Sequence, residues 1–78
     1  MERFDLRKLK DDKLTDRMVE VMDKIAKPGE VMIFMFEVGD FSPVHTTMDV
    51  MKKQGHDIMN SIKFNEVDWT LVVKRKAS

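Results

Sequence analysis

The fold of this chain is decided by the turn Lys27-Pro28-Gly29-Glu30 and by the eight-residue run after it, Val31–Val38 (VMIFMFEV). Proline and glycine end a preceding helix, because proline lacks the backbone N–H and glycine favours turns. A nearly continuous apolar run is typical of a strand inside a sheet, covered at least partly on both faces. The stretch therefore predicts a boundary between a helix and a central strand near the middle of the chain.

A first helix is predicted before this turn, over residues 13–26. Apolar side chains recur there at helical spacing on one face, and they are Leu14, Met18, Val21, Met22 and Ile25. Asp12 or Thr15 is suited to cap the first turn by accepting backbone N–H bonds. The charged segment 7–13 is predicted as a loop, and residues 4–6, which alternate in polarity, as a short edge strand.

A second helix is predicted from Ser42, as N-cap, to the left-handed stop at Gly55, with Pro43 as the first helical residue. Its buried stripe comprises Val44, Thr47, Met48 and Met51. Residues 58–64 and 67–73 alternate as two more strands around a turn at Asn65-Glu66. The order β-α-β-α-β-β predicts an α+β fold over residues 1–78. It is a two-layer α/β sandwich, in which a mixed four-stranded sheet carries both helices on one face.

The alternation also separates the two faces of the predicted sheet. It assigns Phe34, Ile62, Trp69 and Leu71 to the helix face. The opposite, open face then presents Val31, Ile33, Met35, Met59 and Val72, bordered by Glu37, Lys63, Thr70 and Lys74. An apolar centre with a polar rim is a candidate contact surface. The alternative is that scattered apolar residues are ordinary on protein surfaces.

Composition limits the classes of function. Fourteen basic side chains balance fourteen acidic ones, so that no basic tract for nucleic acid is visible. Cysteine is absent, which excludes disulfides, thiolate metal sites and cysteine nucleophiles. No apolar stretch approaches the roughly 18 residues of a membrane span. A cytoplasmic protein without membrane contact is expected.

No catalytic, cofactor or metal site is predicted. The methionines lie mainly on core stripes, where thioethers serve as adaptable filler. His45 and His56 fall at opposite ends of the second helix, too far apart to share a metal within one chain. The nearby acids Asp11, Asp12 and Asp16 are interleaved with basic residues, which favours a solvated charged loop over acid–base chemistry.

Three segments, in this order and spacing, resemble the TusA/SirA-like sulfur-carrier family. They are Lys-Pro-Gly-Glu-Val (27–31), Lys-Gln-Gly-His-Asp-Ile (53–58) and the closing Trp-Thr-Leu-Val-Val-Lys (69–74). The likeness covers nearly the whole chain. Such proteins carry a Cys-Pro pair where the first helix begins, and either Asp11 or Asp12 stands in place of the cysteine here. The resemblance therefore implies a degenerate sulfur-carrier site, and we expect the aspartate to act as a helix cap instead.

Two functions follow as expectations. The first is a non-catalytic partner in sulfur trafficking or redox regulation, which binds a protein or a second copy of itself. Its contact surfaces would be the open sheet face and the charged loop from Lys10 to Arg17. The alternative is an RNA-binding module that uses the open face. RNA platforms need exposed aromatic and basic residues, however, and the predicted face offers methionine and valine, so that nucleic acid is the weaker expectation.

Overall fold

The computed structural model describes residues 1–77 and confirms the α+β architecture. The elements are β1 (Glu2–Asp5), α1 (Asp11–Glu20), a π-helical turn (Val21–Ile25), β2 (Val31–Glu37), α2 (Ser42–Lys53), β3 (Asp57–Lys63) and β4 (Asp68–Lys74). A mixed four-stranded sheet is packed against two helices, as predicted.

The sheet has the strand order β1-β2-β4-β3. β1 is parallel to β2, and β4 is antiparallel to both β2 and β3. β1, β2 and β3 therefore run in the same direction. The loops that follow them, residues 6–10, 38–41 and 64–67, consequently lie at one end of the sheet, which we call the loop end.

The core lies between the helices and one face of the sheet. Phe34 pairs with Leu71 and Met32 with Val73 across β2 and β4, and all four side chains are fully buried. The helices contribute the buried residues Leu14, Met18, Met22, Val44, Thr47 and Met51. The predicted helix stripes are thus confirmed, except at the end of α1.

The end of α1 widens into the π-turn, which corrects the predicted helix 13–26. The N–H of Ala26 donates to the carbonyl of Val21, five residues back, at 2.8 Å. The wider turn advances the chain by one extra residue relative to α-helical spacing. As a result Ile25, predicted on the core stripe, is 40% exposed, and Ala26 is buried in its place.

Both helix starts also differ from prediction. α1 begins at Asp11, inside the predicted loop, with Lys10 as the N-cap residue and no capping side chain. The predicted cap by Asp12 or Thr15 is wrong, since the Thr15 hydroxyl donates to the Asp12 carbonyl instead. α2 has Phe41 rather than Ser42 at the N-cap position. The stop at Gly55 is confirmed, because its φ of +88° lies in the left-handed region.

A β-bulge in β3 overturns part of the predicted face assignment. The register shifts between Ile58 and Asn60, so that Ile62 is paired with Thr70 and Lys63 with Trp69. An extra residue in one strand reverses the side on which the following side chains emerge. Ile62 therefore lies on the open face, at 50% exposure, and Lys63 lies on the helix side.

Candidate functional site

The open face of the sheet carries a band of apolar side chains. Val31, Ile33 and Met35 from β2 and Val72 from β4 are half-buried, and both helices lie on the other side. Met59, at the bulge, and Ile62 are 56% and 50% exposed. The structure thus brings together the predicted apolar residues of this face and adds Ile62, which sequence reasoning had placed in the core.

Charged residues of both signs border this face. Arg3 and Asp5 on β1 are in register with Ile33 and Met35. The Arg7 guanidinium donates to Asp5 at 2.7 Å, and this bond lowers the pKa of the carboxyl to about 2. Lys74 is paired with Val31 at the other end of the face. The rim therefore has no single charge sign.

Asp68 is a buried carboxylate at the loop end, and the sequence analysis missed it. Its side chain is about 5% exposed and accepts a hydrogen bond from the Asn65 amide at 2.8 Å. Arg7 approaches the same oxygen at 3.4 Å. Charged residues are rarely buried unless they are paired, and these two partners account for the burial. Asp68 thereby joins the β3–β4 turn to the loop after β1.

Aromatic side chains also gather at the loop end. Phe41 is 63% exposed and meets Trp69 edge to face at 5.8 Å. The Trp69 indole N–H donates to the Ser61 hydroxyl at 2.9 Å. Phe64 and Val67, from the turn between β3 and β4, are 61% and 52% exposed. Both residues were predicted within strands, but they lie just outside β3 and β4.

A cleft of about 590 Å³ separates the starts of α1 and α2. Asp11 and Asp12, the predicted degenerate site, line its α1 side, and Ser42 and Thr46 line its α2 side. Asp11 has a φ of +52°, in the left-handed region that non-glycine residues rarely adopt. The cleft therefore combines acidic and hydroxyl side chains, without an excess of positive charge.

Lys10 and Arg17, predicted to share a contact surface, have separate surroundings. Lys10 lines the cleft and pairs with Glu37 at 2.6 Å. Arg17 pairs with Glu20 and lies over the Phe4 ring at 5.9 Å. Since residues 11–17 are helical, the predicted charged loop is largely the first two turns of α1.

Two features are absent from the part of the protein that the structure describes. No three side chains among histidine, aspartate and glutamate come together in an arrangement that could hold a metal ion within residues 1–77. Over the same residues, neither helix has the length and apolar character needed to cross a membrane.

Comparison with known proteins identifies the family. Residues 1–75 match the model of a family described as the E subunit of a "putative NADH-ubiquinone oxidoreductase". The protein belongs to this family. It is also similar to a solved protein, HP1264 from Helicobacter pylori, whose solution structure has a TM-score of 0.69 against this one. The two sequences are 48% identical, over 99% of this chain and 100% of the other.

No curated protein matches this sequence. The family and the solved structure both leave the resemblance to TusA/SirA-like proteins untested. That resemblance stays a prediction.

Proposed function

We propose that this protein is a binding module, and that its open sheet face docks onto another subunit of an NADH–ubiquinone oxidoreductase. The observation that carries the proposal is the apolar band on that face, which neither helix covers. The family description, which names one subunit of a larger enzyme, supports this choice of partner. The proposal assigns no reaction to the module itself.

The size of the face supports a functional contact. Four strands spaced at about 4.8 Å, with roughly six residues each at about 3.4 Å, give a face of about 400 Å². A patch of this order is as large as the largest apolar patches of monomeric proteins, which are often functional. It is smaller than the roughly 800 Å² that each partner contributes to a standard interface. A docked subunit would therefore extend over the charged rim as well.

The chemistry of the face favours protein over nucleic acid. Its centre is aliphatic and methionine-rich, and the rim alternates Arg3 with Asp5 on β1. The exposed rings of Phe41 and Phe64 lie at the loop end, where no stacking platform extends across the strands. Single-stranded RNA is bound by aromatic rings combined with a positive groove. RNA binding remains the alternative prediction, and salt-dependent RNA binding by the purified protein would support it.

Co-purification of the protein with the oxidoreductase, from the membranes of the native cell, tests the proposal. Met35→Lys places a charge at the centre of the open face, where burial against a partner would remove it from water. Ile25→Lys is the matched control, because Ile25 is 40% exposed on the helix layer. We expect the wild type and Ile25→Lys to co-purify with the enzyme, and Met35→Lys to be reduced at least tenfold.

Thermal melts first establish that both variants are folded. Retention of Met35→Lys at the wild-type level would refute docking through this face. Failure of the wild type to co-purify would refute the choice of partner. Recovery of a sulfur-handling protein instead would support the predicted relation to the sulfur carriers.

A further inference from the structure

His56 occupies a junction between three parts of the fold. Gly55, with its φ of +88°, ends α2, and the His56 N–H donates to the Met51 carbonyl at 3.1 Å. This is the second bond of a left-handed helix stop. The next residue, Asp57, begins β3. The imidazole is 4% exposed and receives the N–H of Lys76 on Nδ1 at 3.1 Å. One side chain thus joins the end of α2 and the start of β3 to the segment after β4.

This contact defines the protonation state of the ring. Because Nδ1 accepts a hydrogen bond, the single proton of the neutral imidazole resides on Nε2. Nε2 is buried and has no partner within residues 1–77. A second proton could bind only at Nδ1, where it would face the N–H of Lys76, another donor. The closed contact and the imidazolium ion are therefore incompatible.

The residue beside Lys76 holds the same segment on the turn before β2. The Arg75 N–H donates to the Glu30 carbonyl at 2.8 Å, and the Gly29 N–H donates to the Arg75 carbonyl at 3.1 Å. The Arg75 guanidinium also donates to the Ala26 carbonyl. We call residues 75–76 the clasp, because they connect the turn 26–30 to His56.

The charges around His56 come from every neighbouring segment. Arg75 and Lys76, on the clasp, disfavour a cationic ring, whereas Asp23 on the π-turn and Asp57 on β3 favour it. Burial is the largest influence, and it lowers the pKa of His56 below the ordinary 6.5. The ring is therefore neutral at pH 7. In acid, the protonated ring is accommodated only where it reaches water.

We propose that His56 makes the clasp acid-sensitive: protonation of the imidazole breaks its bond to the Lys76 N–H and releases Lys76 from the end of α2. The clasp is closed at neutral pH and open in acid, while the sheet stays intact. This inference is independent of the proposed docking function, since it concerns the end of the sheet opposite the loop end.

Amide hydrogen exchange, followed by NMR between pH 8 and pH 5, tests the clasp. Exchange rates are corrected for the intrinsic effect of pH and expressed as protection factors. We expect the protection of the Lys76 amide to fall by up to tenfold per pH unit below pH 6.5. The amide of Val72, in the middle of β4, should keep its protection. The imidazole of His45, which is exposed, serves as the reference titration.

His56→Asn is the matched variant, because the side-chain oxygen of asparagine can take the place of Nδ1 as acceptor and does not titrate. We expect the protection of Lys76 in this variant to be independent of pH. Three results would overturn the proposal: constant protection of Lys76 in the wild type, the same acid loss in His56→Asn, or parallel loss at Val72, which would indicate global unfolding. If His56→Asn does not fold, the comparison of Lys76 with Val72 in the wild type remains decisive.

Discussion

Truncating two neighbours on β2 tests whether one face of the sheet is open. Phe34 is fully buried on the helix face, and Met35 is half-buried on the open face. Removing a buried phenylalanine side chain costs about 3–5 kcal/mol, because contacts are lost and a cavity is left. Full burial of a methionine contributes about 1.5–3 kcal/mol, so that truncation of a half-buried one should cost about 1 kcal/mol.

These losses are large enough to separate by urea unfolding. A domain of this size has a free energy of unfolding of about 4–12 kcal/mol. With a slope of about 1 kcal/mol per M of urea, Phe34→Ala should lower the midpoint by about 3 M or prevent folding. Met35→Ala should lower it by about 1 M. Equal losses at the two positions would refute the argument, because they would mean that both faces are covered to the same extent.

Three further predictions concern local geometry and charge. Asp11→Gly should preserve or raise the free energy of unfolding, whereas Asp11→Val should lower it by about 1–2 kcal/mol, because only glycine adopts positive φ without strain; thermal melts of the pair would contradict this if both were destabilised equally. Gly55→Ala should be destabilising by about 1 kcal/mol or more, since its φ is +88° and the new Cβ would lie 3.3 Å from Lys76; an unchanged melting temperature would count against it. Arg7→Gln should return the pKa of Asp5 from about 2 towards 3.8, and carboxyl NMR titration measures this. In the wild type the stabilisation from this pair is present above pH 3.8 and is lost as the pH falls towards 2, and an Asp5 pKa that did not respond to Arg7→Gln would refute the assigned cause.

Most of the architecture could be predicted because apolar periodicity reports burial directly. The alternation of β2 and β4 and the stripe of α2 each match the observed buried residues. The errors fall where one residue is inserted into a regular element. The π-turn moves Ile25 out of the core, and the bulge in β3 moves Ile62 to the open face. Such insertions leave no mark on the residue types, since both patterns remain apolar at ordinary spacing.

The candidate surfaces were predictable only in part. The central residues of the open face follow from alternation alone, because Ile33 and Met35 neighbour the buried Phe34 on the same strand. The pairing of Asp68 with Arg7 joins residues far apart in the sequence. The burial of His56 against Lys76 likewise depends on where β4 ends relative to α2. Contacts of this kind depend on strand order, which periodicity does not determine.

The position of β4 has a consequence for biosynthesis. During translation, β2 and β3 emerge from the ribosome before the strand that hydrogen-bonds to both of them. Until residues 68–74 are synthesised, β2 lacks its neighbour on one side, and β3 has no partner in the sheet. Unpaired strand edges are templates for aggregation. The nascent polypeptide therefore remains unable to close its hydrophobic layer until the final strand arrives, and early termination upstream of Asp68 should yield an insoluble fragment.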